Sequence, residues 1–475
     1  MMKLTNMIRG TADDSAARQL LRCWEHDEGT LAFWRASSNF VYVFDKNGIR
    51  HYLRFICEED NTVERMQGEL DFVLHLIDGG YPAAAPVRSL NGRWIETVET
   101  PNAGRCHGVV FEQAAGGHVP LEQMSDRHFE DWGRSLAELH LLSESYPVER
   151  ARDRSWSDAL DFIEMVLERH PQEQAARSEL DRLRERLAEL PTGPALTGWI
   201  HYDFETDNIA YMAEESRYSA FDFDDAMVHW YVMDIAAALG DLPELGDEAA
   251  QRKKERFIAG YRSVRALEEE FEAALPLFQR FDDLYSFARI MRSLVGFDES
   301  KAPEWAVRLK SRLTGMCCEI RGRWKPAVRL RPVDSGNWHA CTRLEAAPEQ
   351  QRTFPVPIVY WLAESAYCGF TPLALYCGEQ LAGFAAYACD PEDGSYWIMA
   401  YMIDRRYQQK GIGRSGMEEL ISHIAEKHGC DALLLGHRPE NEPASRLYES
   451  LGFEAIGHSE HEIIRRLNLN VKQPK

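Results

Sequence analysis

The sequence predicts an α+β protein of two domains, and three observations predict it. The chain has 475 residues, too many for one ordinary hydrophobic core. A hairpin-then-helix pattern fills the first part, and a second β/α pattern restarts after a basic stretch ending at Trp324-Lys325-Pro326. Each part carries one turn whose residue types are chemical rather than structural. With 45% hydrophobic and 27% charged residues, both parts can bury a core.

The elements follow in order. Phe40-Val41-Tyr42-Val43-Phe44 and His51-Tyr52-Leu53-Arg54-Phe55-Ile56 read as strands joined at Asp45-Lys46-Asn47-Gly48, an antiparallel hairpin with turn chemistry in its loop. Val63, Met66, Leu70, Val73, Leu74 and Ile77 have helical spacing, and Gly79-Gly80 stops that helix. Val109-Val110-Phe111 is a short strand running into Gly116-Gly117. Long amphipathic helical stretches are expected near 126–143, 156–189 and 247–295. The basic segment 301–324 reads as a linker helix. Beyond it come strands at 328–333, 372–377, 381–389 and 395–403, a helix at 411–428, a strand at 431–436, a helix at 442–450 and a final strand near 454–466. The expected domains are 1–324 and 325–475.

Lys plus Arg is 54 and Asp plus Glu is 76, so the net charge is −22. Phosphate backbones repel such a chain, which argues against nucleic acid or an anionic membrane as partner and suits a cationic small molecule. No window reaches the roughly 18 uncharged residues of a membrane span. The ten cysteines lack metal-type CxxC spacing, so reduced thiols and a cytoplasmic location are expected.

His201-Tyr-Asp203-Phe-Glu-Thr-Asp-Asn208 reads H-x-D-x-x-x-x-N, and Phe221-Asp222-Phe223-Asp224-Asp225 follows. Phosphoryl transfer needs a carboxylate to receive the acceptor hydroxyl's proton and hard oxygens for Mg²⁺. Asp203 fits the base; Asn208 and Asp222 fit the metal ligands. Over about residues 20 to 300 the chain resembles the aminoglycoside phosphotransferase-like (phosphotransferase enzyme) family. The resemblance implies a protein-kinase-like bilobal domain, with an N-lobe at about 20–112, a C-lobe at about 113–300, and ATP and Mg²⁺ as cofactors. It carries the same roles to Asp203, Asn208 and Asp222, and it matches Trp230–Ala236 to a segment whose Asp234 braces the catalytic loop. Val109–Gly116 resembles the strand that receives adenine. Two departures stand out. Arg54, with Glu69 as its helix partner, takes the place of the usual phosphate-pairing Lys. The loop over the phosphates, Arg35-Ala36-Ser37-Ser38-Asn39, has no glycine, which leaves Ser38 and backbone amides to cap phosphates.

Gln408-Gln409-Lys410-Gly411-Ile412-Gly413-Arg414 reads Q-x-x-G-x-G between a strand and a helix. Glycines there let amides approach a pyrophosphate at the positive end of the helix. Asn441-x-x-Ala444-x-x-Leu447-Tyr448-x-x-x-Gly452-Phe453 lies about thirty residues on. Together these motifs resemble the GNAT acetyltransferase superfamily over roughly 326–470. The resemblance implies an α/β GNAT fold and acetyl-CoA as cofactor. Gln409, Lys410, Gly411, Ile412, Gly413 and Arg414 would bind its pyrophosphate, Met402 and Ile403 would align its arm, and Asn441 would contact it or order the helix. Tyr448 would be the general acid. The run Trp397–Gly413 is similar to the polyamine and diamine acetyltransferases. Glu364, Asp390 and Glu392 are candidates to relay the amine's proton.

The expected protein is a bifunctional transferase. Its first part phosphorylates a small-molecule hydroxyl and its second part acetylates a primary amine, polyamine- or aminoglycoside-like. Its partners are small-molecule acceptors, cationic amines or amino alcohols. The alternative is a catalytically weak kinase-like domain that regulates a polyamine-type acetyltransferase.

Overall fold

The computed structural model describes residues 1–57, 61–101, 104–148, 154–324, 326, 328–350, 356–459 and 461–469. Lys325, at the expected boundary, lies outside them. The chain divides into two compact units, Met1–Val166 with Leu183–Cys317, and Leu167–Arg182 with Cys318–Lys475.

The first unit begins as an antiparallel sheet. Ala32–Ala36, Phe40–Lys46, Ile49–Cys57 and Gly104–Glu112 pair in that order, and both Pro86–Val87 and Glu96–Thr100 pair with Gly104–Glu112. The hairpin turn is the expected one: Asn47 and Gly48 sit at φ 53° and 72°, the left-handed pair that suits a tight two-residue turn. Strand alternation gives the sheet two apolar faces. Ile56 and Val109 pack under Met66 and Leu70 of the helix Val63–Asp78. Phe40, Tyr42, Phe44, Leu53 and Phe55 pack on the opposite face against Leu4, Met7, Leu20 and Leu21.

That second layer was not expected. The helices Leu4–Thr11 and Ser15–Leu21 are too short for their periodicity to stand out, yet they complete this core. The strand Glu96–Thr100 was also missed. The single helical stretch read at 156–189 is two helices, Trp156–Glu168 and Gln174–Ala188, with Pro171 in the break. The stretch at 247–295 is three: Asp247–Arg262, Glu269–Ala273 and Leu275–Ser293.

The helix Asp126–Ser143 crosses Asp247–Arg262 at glycine. A Cβ on Gly260 would lie 1.9 Å from the Glu130 carbonyl oxygen, and one on Gly133 2.0 Å from that of Phe257. Two small two-stranded sheets, the second a hairpin nested in the sequence between the strands of the first, then present the turns of interest. Thr197–Ile200 pairs with Met227–Trp230, and Ile209–Met212 pairs with Arg217–Ala220.

The second unit is a seven-stranded sheet in the order 328–332, 371–377, 380–389, 396–403, 432–437, 463–468, 454–458. The single strand read at 454–466 is therefore a hairpin. All its pairs are antiparallel except Tyr396–Ile403 with Ala432–His437, which is parallel and joined only over Tyr396–Ile398. Past Ile398 the two strands part, so Met399–Ile403 have no strand partner on that edge among the described residues. Helix Ile412–His428 buries Ile412, Met417, Leu420 and Ile424 in one core of this sheet. Within this unit Glu173 accepts from Arg321 Nε at 2.9 Å and Nη2 at 3.0 Å. No helix among the described residues is long and apolar enough to cross a membrane.

Candidate functional sites

The turn carrying Asp203 is held from behind by a buried carboxylate. Asp234 accepts from the His201 amide at 2.9 Å, the Tyr202 amide at 2.6 Å and His140 Nε2 at 3.0 Å. Burial holds His140 below its usual range, so its imidazole is neutral. Arg265 donates to the Tyr261 hydroxyl, which in turn donates to His140 Nδ1 at 2.9 Å, and this leaves the ring proton on Nε2. These bonds keep Tyr202 at φ 71°, a conformation costly for a residue with a Cβ. The kink sends Asp203 into the cleft. His201 Nε2 donates to the Phe221 carbonyl at 3.1 Å, which ties this turn to the segment before Asp222.

Asn208 is tied to Asp203. Its Nδ2 donates to Asp203 Oδ2 at 2.7 Å and to the Asp203 carbonyl at 3.0 Å. Its amide oxygen is thereby the group left for other partners. The Phe221 amide donates to the Asn208 carbonyl at 3.0 Å, so Asp222 follows directly beside Asn208, at φ 66°. Arg54 and Glu69 form a buried pair, with Arg54 Nη2 at 2.6 and 2.7 Å from the two Glu69 oxygens. Arg54 Nη1 also reaches Asp222 Oδ1 at 3.1 Å. The structure thus gathers Arg54, Glu69, Asp203, Asn208 and Asp222 in one cleft.

The loop read over the phosphates and the carboxylates after Asp222 join them through contacts that were not anticipated, and Arg289 is a new member. Arg35 Nη2 meets Asp222 Oδ2 at 2.6 Å, and Asn39 Nδ2 meets Asp224 Oδ2 at 2.6 Å. Arg289 pairs with Asp225 at 2.7 Å and donates to Ser38 Oγ at 3.3 Å. Burial, then Asp225, pushes Asp203 up to about 7. Burial, then Asp222 and Asp225, pushes Asp224 well up. Burial pushes Asp225 up, but Arg289, the N-terminal amine and Arg154 together outweigh it and hold Asp225 low. Four carboxylates that crowd one another in a cleft, with a free amide oxygen beside them, are hard donors of the kind Mg²⁺ takes. Among the described residues no three His, Cys, Asp or Glu form a metal cage, and a nucleotide-borne Mg²⁺ needs only one or two protein oxygens. Asn208 and Asp222 fit it.

A cavity of about 350 Å³ opens beside Asp203, lined also by Glu205, Asp225, Asp282, Ser286 and Arg289. Burial, then Asp203, pushes Glu205 up to about 9. Asp282 accepts from the Tyr202 hydroxyl at 2.8 Å.

In the second unit the loop Gln408–Gly411 opens helix Ile412–His428. Gln409 and Gly411 are at φ 58° and 76°, and the amides of Gly411, Ile412 and Gly413 have no acceptor among the described residues. They fit a pyrophosphate at a helix N-terminus. Met402 and Ile403 lie on the parted strand; Gln408 Nε2 donates to the Ile403 carbonyl at 2.9 Å. Two side chains point elsewhere: Lys410 Nζ donates to the Arg406 carbonyl at 2.6 Å, and Arg414 turns to Ser450. Asn441 caps helix Glu442–Ser450, accepting from the Ala444 amide at 3.4 Å. Tyr448 is buried beside His437 and Phe453, burial pushes it up to about 12, and its hydroxyl has no partner among the described residues. Glu364 is exposed, while Asp390 and Glu392 share the turn between strands 380–389 and 396–403.

Residues 31–267 match the family model "Phosphotransferase enzyme family" and residues 335–453 match "Acetyltransferase (GNAT) family". Amicoumacin kinase of Bacillus subtilis is 26% identical over 261 residues, 53% of this chain and 76% of that protein. A homoserine kinase of Caulobacter vibrioides is 26% identical over 248 residues, 51% of this chain and 74% of that protein. The spermine/spermidine N(1)-acetyltransferase of Bacillus subtilis is 37% identical over 138 residues, 28% of this chain and 90% of that protein. A solved amicoumacin kinase in complex with AMP-PNP, Ca²⁺ and Ami is similar in fold, with TM-score 0.54 and 21% identity over 64% of this chain and 92% of that one.

Proposed function

Because the chain belongs to the phosphotransferase enzyme family over residues 31–267 and to the GNAT acetyltransferase family over residues 335–453, we propose a bifunctional small-molecule transferase. Its first site moves a phosphoryl group from ATP to a hydroxyl, and its second moves an acetyl group from acetyl-CoA to a primary amine. We put the boundary between the two catalytic domains at residues 324–325, just past helix Glu304–Gly322.

The observation that carries the first half is Asp203 bonded to Asn208, with Asp222 on the next turn. Asp203 receives the acceptor hydroxyl's proton. Asn208 and Asp222 hold Mg²⁺, which when bound neutralises the triphosphate. Arg54, oriented by Glu69, faces the phosphates, and Ser38 lies on the loop above them.

The acceptor sits in the cavity beside Asp203. Asp282 there favours a cationic group next to the hydroxyl, as in an amino alcohol, and a bound cation would draw the proton off Glu205. The kinase relatives are named for amicoumacin and homoserine, and homoserine is itself an amino alcohol.

In the second half, the amides of Gly411, Ile412 and Gly413 hold the cofactor's pyrophosphate with Gln409 on the same turn, and Lys410 and Arg414 join it by leaving the Arg406 carbonyl and Ser450. The parted edge at Met402 and Ile403, where Gln408 now holds the Ile403 carbonyl, lines up its arm. Tyr448, protonated at any ordinary pH, returns a proton to the thiolate of CoA. Asn441 acts through the helix it caps. Polyamine-like amines are the acceptor class, since the acetyltransferase relative is named for spermine and spermidine. Ten cysteines without a disulfide fit a cytoplasmic setting.

The test is an acceptor screen over amino alcohols and polyamines with both donors, read by product mass. Products that gain one phosphoryl or one acetyl group support the reading. Absence of both across the panel, from a folded protein, defeats it.

A further inference from the structure

We propose that Arg35 is a phosphate-binding residue of the first site, a guanidinium standing where an ordinary phosphate loop offers glycine amides. The proposal rests on the kinase reading above. It begins with the backbone. The pairing of Ala32–Ala36 with Phe40–Lys46 slips between Phe33 and Arg35, so Trp34 is the extra residue of a bulge. A bulge re-aims the side chains beside it. Phe33 and Trp34 are left exposed, while Arg35 crosses the cleft to Asp222 Oδ2.

Two guanidinium groups thus share one carboxylate, and they are not equivalent. The Arg54 side chain is 6% exposed and held by both oxygens of Glu69; that of Arg35 is 40% exposed, and among the described residues its carboxylate partner is Asp222. The solvent-exposed Arg35 end of the pair is screened and costs little to release, so it exchanges more readily than the buried Arg54 end. A divalent cation on Asp222 would compete with Arg35 for that oxygen and repel its charge. The loop itself supplies few free donors: the Ser37 amide is committed to the Asn39 carbonyl at 3.1 Å and Asn39 Nδ2 to Asp224. Ser38 Oγ accepts from Arg289. Arg35 is the cation on this loop that metal binding would release, and the anions nearest to a metal on Asp222 would be the phosphates it bridges. A guanidinium binds phosphate in a fork.

The consequence is affinity that depends on phosphate number. The full-length protein, as wild type, Arg35→Ala, Arg35→Lys and Arg35→Gln, is titrated calorimetrically with AMP, ADP and AMP-PNP in Mg²⁺. Arg35→Ala and Arg35→Gln should leave AMP affinity within twofold and weaken Mg-AMP-PNP about tenfold, the size of one charge-assisted contact. Arg35→Lys should fall between. Equal or tighter AMP-PNP binding by the Ala and Gln variants would make Arg35 a mere plug on Asp222. Equal losses for all three nucleotides would make it structural. Either result overturns the proposal and spares the kinase reading. A wild-type protein that binds none of the three removes both.

Discussion

Asp234→Asn removes one acceptor from behind the catalytic turn and changes little in shape. In the wild type one carboxylate serves three donors: Tyr202 N on Oδ1, and His201 N and His140 Nε2 on Oδ2. The amide keeps one oxygen. Its less costly orientation keeps the two donors on Oδ2 and turns an NH₂ toward the Tyr202 amide. One buried donor left unpaired costs about 1–3 kcal/mol, and the other two lose charge assistance. A total of roughly 2–4 kcal/mol follows. A unit of this size shifts by about 2 °C per kcal/mol, so the melting temperature should fall by roughly 5 °C. Tyr202, no longer held at φ 71°, relaxes and takes Asp203 out of position. Phosphoryl transfer should then fall far more than AMP-PNP binding. Scanning calorimetry and nucleotide-turnover assays read the two effects. An unchanged melting temperature with unchanged turnover would refute the bracing argument.

Tyr448→Phe should lower acetyl transfer about a hundredfold, the usual scale for a lost general acid. It should barely alter stability, because the hydroxyl has no partner among the described residues; kinetics against melting temperature checks this. His229 is fully buried between Phe278 and Phe281, and burial holds it down to about 3. The unfolded chain takes up that proton near 6.5, so between pH 6.5 and 3 the unfolded state binds more protons and stability falls as pH falls. The cost reaches about 4 kcal/mol at the acid end, and His229→Gln should flatten the pH profile of denaturant midpoints. Gly260→Ala puts a methyl 1.9 Å from the Glu130 carbonyl oxygen. Backbone cannot yield there, so a loss of at least about 3 kcal/mol is expected in urea titrations.

What was legible in the sequence was local. Asn47-Gly48 announces its hairpin because only a left-handed pair closes that turn. Asp203, Asn208 and Asp222 can be read as a group because five residues and one hairpin separate them. The Q-x-x-G-x-G loop is read from its own glycines. What was not legible depends on distant contacts. Arg35 meets Asp222 across 187 residues, and Arg289 meets Asp225 from a helix with no motif. The helices Leu4–Thr11 and Ser15–Leu21 carry too few turns for periodicity, and their apolar faces make sense only against the sheet they cover. The parting of strands after Ile398 follows from where pairing stops, and residue types do not encode that.

The most direct measurement incubates wild type, Asp203→Asn and Tyr448→Phe with both donors and an amino-alcohol and polyamine panel, with products weighed. Two independent sites predict that Asp203→Asn loses only the phosphorylated products and Tyr448→Phe depletes only the acetylated ones. If either substitution removes both product classes from a folded protein, or neither removes its own, the chain does not carry two separate transferase centres.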